Sequence, residues 1–184
     1  MAYTLQEYYD ISDDTITQCY GVNWRGQTFT DAGGFSLTKV SVKAFKIGSP
    51  GDVTMNIKAT TAGKPSGAAL GTATTSANGW TTDGAGDWYD FIFDPAVVLD
   101  AGVMYAIEVS IPTGNSVNQI IWRDDQSGAT YAGGTYVYSS NSGGSWTISS
   151  GGDLMFRTYS TAGPPTGAGI PIILHHRKLM AGAL

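Results

Sequence analysis

Apolar and polar side chains alternate along much of this chain. The run 53–60 shows this most clearly, because every second residue is apolar: Val53, Met55, Ile57 and Ala59. A period of two residues is that of a β-strand with one buried face. A similar run covers 37–47, and the Gly-Ser-Pro-Gly stretch 48–51 separates the two runs. The pattern therefore predicts a hairpin made of strands 37–47 and 53–60.

Shorter strand patterns fill most of the remaining chain. They occur at 23–30, 68–75, 88–93, 97–99, 103–111, 119–123, 136–139, 145–148 and 153–159. The Asn-Ser-Gly-Gly stretch 141–144 is typical of a hairpin turn. Since no window has the 3.6-residue period of a helix, the pattern predicts an all-β protein. We expect an antiparallel two-sheet β-sandwich, jelly-roll-like, with an extended C-terminal tail.

The character of the chain changes at two places, which predicts three parts. Residues 1–21 are polar and aromatic and are expected to form a lead-in with an edge strand. Residues 22–160 carry the regular strand patterns and form the predicted sandwich. Residues 161–184 begin with a Pro/Gly-rich linker and continue as an apolar and then basic arm.

The composition supports strands and argues against several classes of partner. Charged residues make up only 14%, while 25 glycines and many Ser and Thr favour turns and half-buried strands. The net charge of −5 is unfavourable for binding nucleic acid, which needs clustered Lys and Arg. No apolar run is long enough to span a membrane, and the N-terminus lacks the features of a secretion signal. We therefore expect assembly in a host cytoplasm.

The sequence offers no credible catalytic group. The two histidines, His175 and His176, both lie in the tail, where a nucleophile–histidine site would require them to fold back onto the sandwich. The pairs Asp13-Asp14 and Asp124-Asp125 leave a glycosidase or lyase as the weakest hypothesis, since aspartates at turns and strand ends explain them. We expect no enzyme activity and no cofactor. The lone Cys19 cannot form an internal disulfide and is expected to be a small buried or half-buried thiol.

Calcium is the one metal that the pattern leaves open. Carboxylates in the loops of a β-sandwich can hold Ca²⁺, although no spaced loop motif is present here. The weak candidates are Asp83, Asp87, Asp124 and Asp125.

The tryptophans divide into two groups. Trp24, Trp88 and Trp122 lie in strand patterns and are expected in the core or on a sheet face. Trp80 lies in a polar loop, and Trp146 follows a turn. Exposed aromatic rings stack on sugars, so Trp80 and Trp146, with the nearby Tyr136 and Tyr138, are candidate glycan contacts. Packing into the core is the equal alternative for Trp80 and Trp146.

The tail carries a candidate docking arm. An apolar stretch is followed by basic residues, which a free end would gain nothing by exposing. A disordered end is the alternative. We expect the arm to dock on a neighbouring subunit through Ile170, Ile172, Ile173, Leu174, His175, His176, Arg177, Leu179 and Met180.

Several stretches together resemble a known group of proteins. They read QTFT at 27–30, LTKVSV at 37–42, GKPSGAAL at 63–70, LDAGVMYA at 99–106, YAGG at 131–134 and DLMFR at 153–157. Over 22–160 the chain resembles the jelly-roll modules of bacterial surface proteins (the choice-of-anchor type) and of tailed-phage virion proteins. The resemblance implies that GKPSG joins two strands and that DLMFR closes the sandwich. It implies no catalytic residues.

Two functions follow as hypotheses. The first is a virion structural protein, such as a capsid decoration protein or a head or tail fibre component. It would be a homo-oligomer that docks on other virion subunits, without nucleic acid or membrane as a partner. The alternative is a carbohydrate-binding or adhesin module of a cell-surface or virion protein, which would bind surface glycans.

Overall fold

The computed structural model describes residues 2–161. In this range the chain forms thirteen β-strands, one 3₁₀ turn at Ala77–Gly79 and no α-helix. The strands are β1 (Tyr3–Tyr9), β2 (Thr15–Cys19), β3 (Trp24–Thr30), β4 (Phe35–Ile47), β5 (Asp52–Thr61), β6 (Lys64–Ser76), β7 (Asp87–Leu99), β8 (Met104–Ser110), β9 (Gln119–Asp125), β10 (Tyr136–Ser139), β11 (Thr147–Ile148), β12 (Asp153–Leu154) and β13 (Phe156–Thr161). Within residues 2–161 no helix has the length and apolarity that crossing a membrane requires.

The strands form two antiparallel sheets. The first sheet has seven strands, and its main path runs β1-β13-β4-β9-β12, with β7 beside β4 and β2 beside β9. The second sheet has six strands in the order β11-β10-β3-β8-β5-β6. The predicted two-sheet β-sandwich is thus confirmed.

The connectivity of β2 to β9 is that of a jelly roll. These eight strands give the order β2-β9-β4-β7 in one sheet and β3-β8-β5-β6 in the other. Most successive strands alternate between the sheets, as in two interlocked Greek keys. The later strands then extend this frame, with β10 and β11 beside β3, and β12 and β13 beside β9 and β4.

The core lies between the inner faces of the two sheets. The alternation seen in 53–60 is reproduced, since Val53, Met55 and Ile57 are fully buried while the residues between them are partly exposed. The largest fully buried side chains come from both sheets and include Phe29, Phe91, Trp122, Phe156 and Ile107. Cys19 is also buried, as expected.

The predicted hairpin of 37–47 and 53–60 is wrong. Strand β4 lies in the first sheet, where β7 occupies one edge and β13 and β9 share the other. Strand β5 lies in the second sheet between β6 and β8. The stretch 48–51 carries the chain from one sheet to the other. By contrast, the hairpin predicted around 141–144 is confirmed, because β10 pairs with β11.

The boundary predicted at residue 22 is also wrong. The segment 1–21 was expected to contribute a lead-in with one edge strand, but it contributes two strands of the first sheet. Strand β1 pairs with β13 at the edge, and β2 pairs with β9. The sandwich therefore begins at Tyr3. At its other end β13 extends to Thr161.

Candidate functional site

The candidate glycan residues do not form an exposed aromatic face. Trp80 is only 6% exposed, and its ring stacks on that of Tyr89 with 4.0 Å between centroids and 1° between planes. Trp146 is 8% exposed, and Tyr136 is buried with its hydroxyl 2.9 Å from that of Thr17. These burials favour the packing alternative for Trp80 and Trp146.

The other aromatic candidates are only partly accessible. Tyr138 is half-buried beside Tyr136, with the Arg25 guanidinium 6.0 Å from its ring centre. Trp122 is fully buried, and Trp24 and Trp88 are half-buried, in agreement with the predicted core or sheet-face positions.

The calcium candidates are not brought together either. Asp83 and Asp87 are exposed and accept hydrogen bonds from nearby backbone N–H groups, those of Ala85 in the loop and of Trp88 at the start of β7. Asp124 and Asp125 are buried in β9. Within residues 2–161 no three Asp, Glu, His or Cys side chains are arranged to hold a metal ion.

Asp124 and Asp125 instead belong to a buried polar network that holds β1 against the sandwich. The Tyr9 hydroxyl donates to Asp125 Oδ2 at 2.6 Å, and Gln126 Nε2 donates to Asp124 Oδ2 at 2.6 Å. Asp124 Oδ1 has no hydrogen-bond partner among the described residues. Burial raises the pKa of Asp124 to about 6, with Asp14 and Asp125 adding to the rise and Gln126 and Arg123 opposing it.

An open groove of about 600 Å³ lies between β1 and one end of the second sheet. Its lining is mainly apolar, and we call it the Tyr131 groove. The Tyr131 hydroxyl donates to Glu7 Oε2 at 2.9 Å, and the Tyr131 ring packs edge-on against Phe156 at 5.3 Å. The lining residues are Glu7, Thr30, Ala32, Gly102, Met104, Tyr131, Ala132 and Gly133.

Exposed apolar side chains line the margin of the first sheet beside this groove. We call this set the apolar rim; it consists of Tyr3, Leu5, Tyr8, Ile11 and Ile16. Strand β1 pairs with β13 on one side, and its other edge is unpaired among residues 2–161. A free strand edge with apolar side chains is a template for pairing with another chain.

Cations and aromatic rings hold the rim in place on the outer face of the first sheet. Lys39 Nζ lies between the rings of Tyr3 and Tyr159, at 4.4 and 4.2 Å from their centres. Arg157 stacks on Trp88 at 3.9 Å and forms an ion pair with Asp10 at 2.9 Å. These contacts fix strand β1 and the residues that follow it against the rest of the first sheet.

The connection between β1 and β2 is anchored by a second ion-pair cluster. Asp13 pairs with both Lys43 and Arg123. Burial alone would raise the pKa of Asp13, but the hydrogen bond and charge of Lys43, together with Arg123, lower it.

The sequence patterns did not predict the apolar rim or the Tyr131 groove. Tyr3, Leu5 and Tyr8 carry an apolar pattern that the sequence does show, but nothing local marks them as exposed. Glu7 and Tyr131 are 124 positions apart, so only the fold brings them together. The predicted docking arm, from Ile170 to Met180, lies outside the described residues. No protein-family model matches this chain, and no curated protein matches it in sequence.

Proposed function

We propose that this chain is a structural protein of a virus or phage particle, either a capsid decoration protein or a head or tail fibre component. In this role it docks on neighbouring subunits and performs no catalysis. The observation that carries the proposal is the apolar rim, of which Tyr3, Leu5 and Tyr8 lie on β1 with its unpaired edge. The particle context comes from the resemblance of 22–160 to tailed-phage virion modules.

The rim supports docking because natural sheets protect their free edges. Common devices are Lys residues, prolines, or charged side chains along the edge strand. Strand β1 contains no Lys and no proline. Its single charged residue is Glu7, which accepts a hydrogen bond from Tyr131. Its exposed Tyr3, Leu5 and Tyr8 would be costly to leave in water, whereas a partner would bury them.

The polar groups of the described residues support a role without catalysis. Among the residues that line the Tyr131 groove, Glu7 is the only carboxylate, whereas a glycosidase needs two across its cleft. Asp125 and Asp153 accept hydrogen bonds from Tyr9 and Gln27 inside the fold. These carboxylates therefore serve the sandwich rather than a substrate.

The docking role is tested by the assembly state of the full chain. Analytical ultracentrifugation should show a defined oligomer. The double variant Leu5→Ser/Tyr8→Ser should weaken association by about ten-fold or more, because two apolar side chains lose their burial. Val98→Ser is the matched control, since Val98 is 72% exposed on β7, outside the rim. A monomeric full chain, or equal effects of the two variants, would overturn the docking role.

The particle role is tested separately. Particles purified from the lysate of a bacterial strain that carries the gene should contain the protein, as measured by mass spectrometry and immunogold labelling. Its absence from particles would overturn the virion assignment while leaving the docking surface intact.

A carbohydrate-binding or adhesin module is the second candidate. The observation that favours it is the row of tyrosines on the outer face of the first sheet, Tyr3, Tyr8 and Tyr159, of which Tyr8 is 48% exposed. Exposed aromatic rings can stack on sugars. A glycan array should then show binding that Tyr8→Ala removes, and an array without hits argues against this candidate.

A further inference from the structure

The unpaired edge of β1 has the geometry of an acceptor for one more strand. We infer that the apolar segment 170–174 of a second copy of this chain adds to β1 as the next strand of the first sheet. This inference rests on the proposed docking function, for which it names both the inserted segment and its receptor.

The receptor offers a place for side chains on both sides of an added strand. Successive residues of a strand point to opposite faces of the sheet. On the outer face, an added strand would lie beside Tyr3, Leu5 and Tyr8. On the inner face, it would lie along the Tyr131 groove, which Glu7 of β1 lines. In strand addition, backbone hydrogen bonds supply affinity and such pockets supply specificity.

The chemistry of segment 170–174 fits this receptor. Its five residues, Ile-Pro-Ile-Ile-Leu, are all apolar, so both faces of the strand could be buried. Proline has no N–H, so within a sheet it is confined to edge strands, to the first residue of a strand or to bulges. If residues 170, 172 and 174 direct their backbone groups to β1, Pro171 faces solvent. The proline then blocks further strand addition and ends the sheet.

Apolar burial rather than charge carries the pairing of these two segments. Of the four acids in residues 2–21, Asp10 pairs with Arg157, and Asp13 pairs with Lys43 and Arg123. Glu7 accepts a hydrogen bond from Tyr131. Most acids of the receptor are therefore already partnered within the sandwich, which leaves little net charge to attract Arg177 and Lys178.

Chain connectivity makes antiparallel pairing with β1 easier for a second copy than for the chain's own arm. Thr161 pairs with Tyr3, so β13 ends beside the start of β1. An arm that pairs antiparallel to its own β1 would run parallel to β13 and would need a crossover of about a dozen residues or more. Only the eight residues 162–169 are available for this connection. Parallel pairing with its own β1 needs no such crossover, and the variants carrying both cysteines distinguish it from pairing between copies.

The test uses disulfide trapping between two full-length variants. A chain with Leu5→Cys is mixed with a chain carrying Ile172→Cys, or with one carrying Ile173→Cys, under mild oxidation. The two arm positions are tested separately because adjacent strand residues face opposite sides, and one of them must share the side of Leu5. Cys19 does not compete, since it is fully buried and burial raises its pKa to about 12.

The expected result is a disulfide-linked heterodimer in one of the two mixtures. Its yield should exceed that of a matched Val98→Cys mixture by about ten-fold, because docking raises the local concentration of the paired thiols. Yields equal to those of the control in both mixtures would overturn the inference. Cross-linking only within one chain, in variants carrying both cysteines, would overturn the role of a second copy.

A second measurement separates this inference from the proposed function. Ile172→Glu in the full chain should weaken association about as much as the rim variant Leu5→Ser/Tyr8→Ser, and Ala168→Glu in the linker should not. If the rim variant dissociates and Ile172→Glu stays assembled, docking stands and the arm inference fails. If the rim variant stays assembled, both fail.

Discussion

Asp124, Asp125 and Asp153 place three carboxylates inside the sandwich, next to one another on β9 and β12. Asp125 and Asp153 are held by Tyr9, Gln27 and backbone N–H groups. Asp124 is different, because one of its two oxygens has no partner among the described residues. A buried carboxylate without full hydrogen bonding is costly when ionised.

Asp124→Asn should therefore stabilise the protein near neutral pH. The pKa of Asp124 is raised to about 6 in the fold, against about 3.9 for an unfolded chain. The folded state thus favours the protonated form, and this contribution to stability is full below about pH 4 and is lost as pH rises through about 6. The asparagine, which cannot ionise, should add about 2 kcal/mol to the unfolding free energy at pH 7.5.

Urea unfolding at pH 4 and pH 7.5 measures this effect. The wild-type protein should lose stability between the two values relative to Asp124→Asn. Exposed Asp87→Asn serves as the control and should follow the wild type. A variant that is less stable than the wild type at pH 7.5 would show that ionised Asp124 is stabilised by its surroundings.

Trp80 is a second residue whose role is decided by its contacts. Its ring stacks on the ring of Tyr89 and packs edge-on against that of Phe91, with 6.3 Å between the centres of the second pair. Trp80→Ala should lower the unfolding free energy by about 3 kcal/mol, because it leaves a large cavity in the core. Trp80→Phe keeps part of the packing and should lose less. Thermal unfolding should rank the wild type as most stable, Trp80→Phe next and Trp80→Ala last. An alanine variant as stable as the wild type would show that the Trp80 ring does not contribute to the core and would make it a candidate surface contact again.

At the scale of elements, alternation identified the strands but not their partners. The runs 37–47 and 53–60 are both strands, as predicted, but they lie in opposite sheets. A period of two residues shows that one face of a strand is buried. The same pattern arises whether the next strand in the sequence lies in the same sheet or in the sheet across the core. The residues of the short connection 48–51 predict a hairpin turn, whereas in the structure this connection leads from the first sheet to the second.

Gly48 makes this passage between β4 and β5. Its φ is +65°, and a Cβ there would collide with the carbonyl oxygen of Val117. Gly67 has a similar φ of +70° but open space around it. Gly67→Ala should lower the unfolding free energy by about 1 kcal/mol through backbone strain alone. Gly48→Ala should lower it by about 2 kcal/mol more, since the collision adds to the strain.

Chemical denaturation of the two glycine variants tests the passage. Because both alanines share the backbone strain, the difference between them isolates the close approach of Gly48 to the connection between β8 and β9. Equal losses of stability would mean that this connection can move away without cost.

At the scale of the whole molecule, the sandwich buries its tryptophans wholly or in part and leaves a set of apolar side chains exposed on β1, β2 and the segment between them, besides scattered exposed positions elsewhere such as Val98. The apolar rim lies on β1, β2 and the segment between them, a part of the chain for which the sequence predicts only a lead-in with an edge strand. Because β1 and β2 are strands of the first sheet, their exposed apolar side chains form part of the surface of the sandwich. A group of exposed apolar side chains beside an unpaired strand edge is typical of an interaction site.

Association through the rim should persist at high salt. At about 1 M NaCl the Debye length falls to about 3 Å, which screens surface charges but not apolar burial. The dissociation constant of the oligomer should change by less than about ten-fold between 0.1 and 1 M NaCl in sedimentation experiments. Dissociation well beyond this range would assign the contact to charged groups such as Arg177 and Lys178 instead.

The sequence alone predicted the all-β character and the positions of most strands, because strand periodicity and turn residues act over a few neighbouring positions. It also predicted that Trp122 lies in the core or on a sheet face, since that residue lies within an apolar strand run. The tertiary structure decided which strands pair, that Trp80 and Trp146 are buried, and that Glu7 meets Tyr131 beside a free edge. These features depend on contacts between residues far apart in the chain, and no local pattern specifies which distant segment will cover a given side chain.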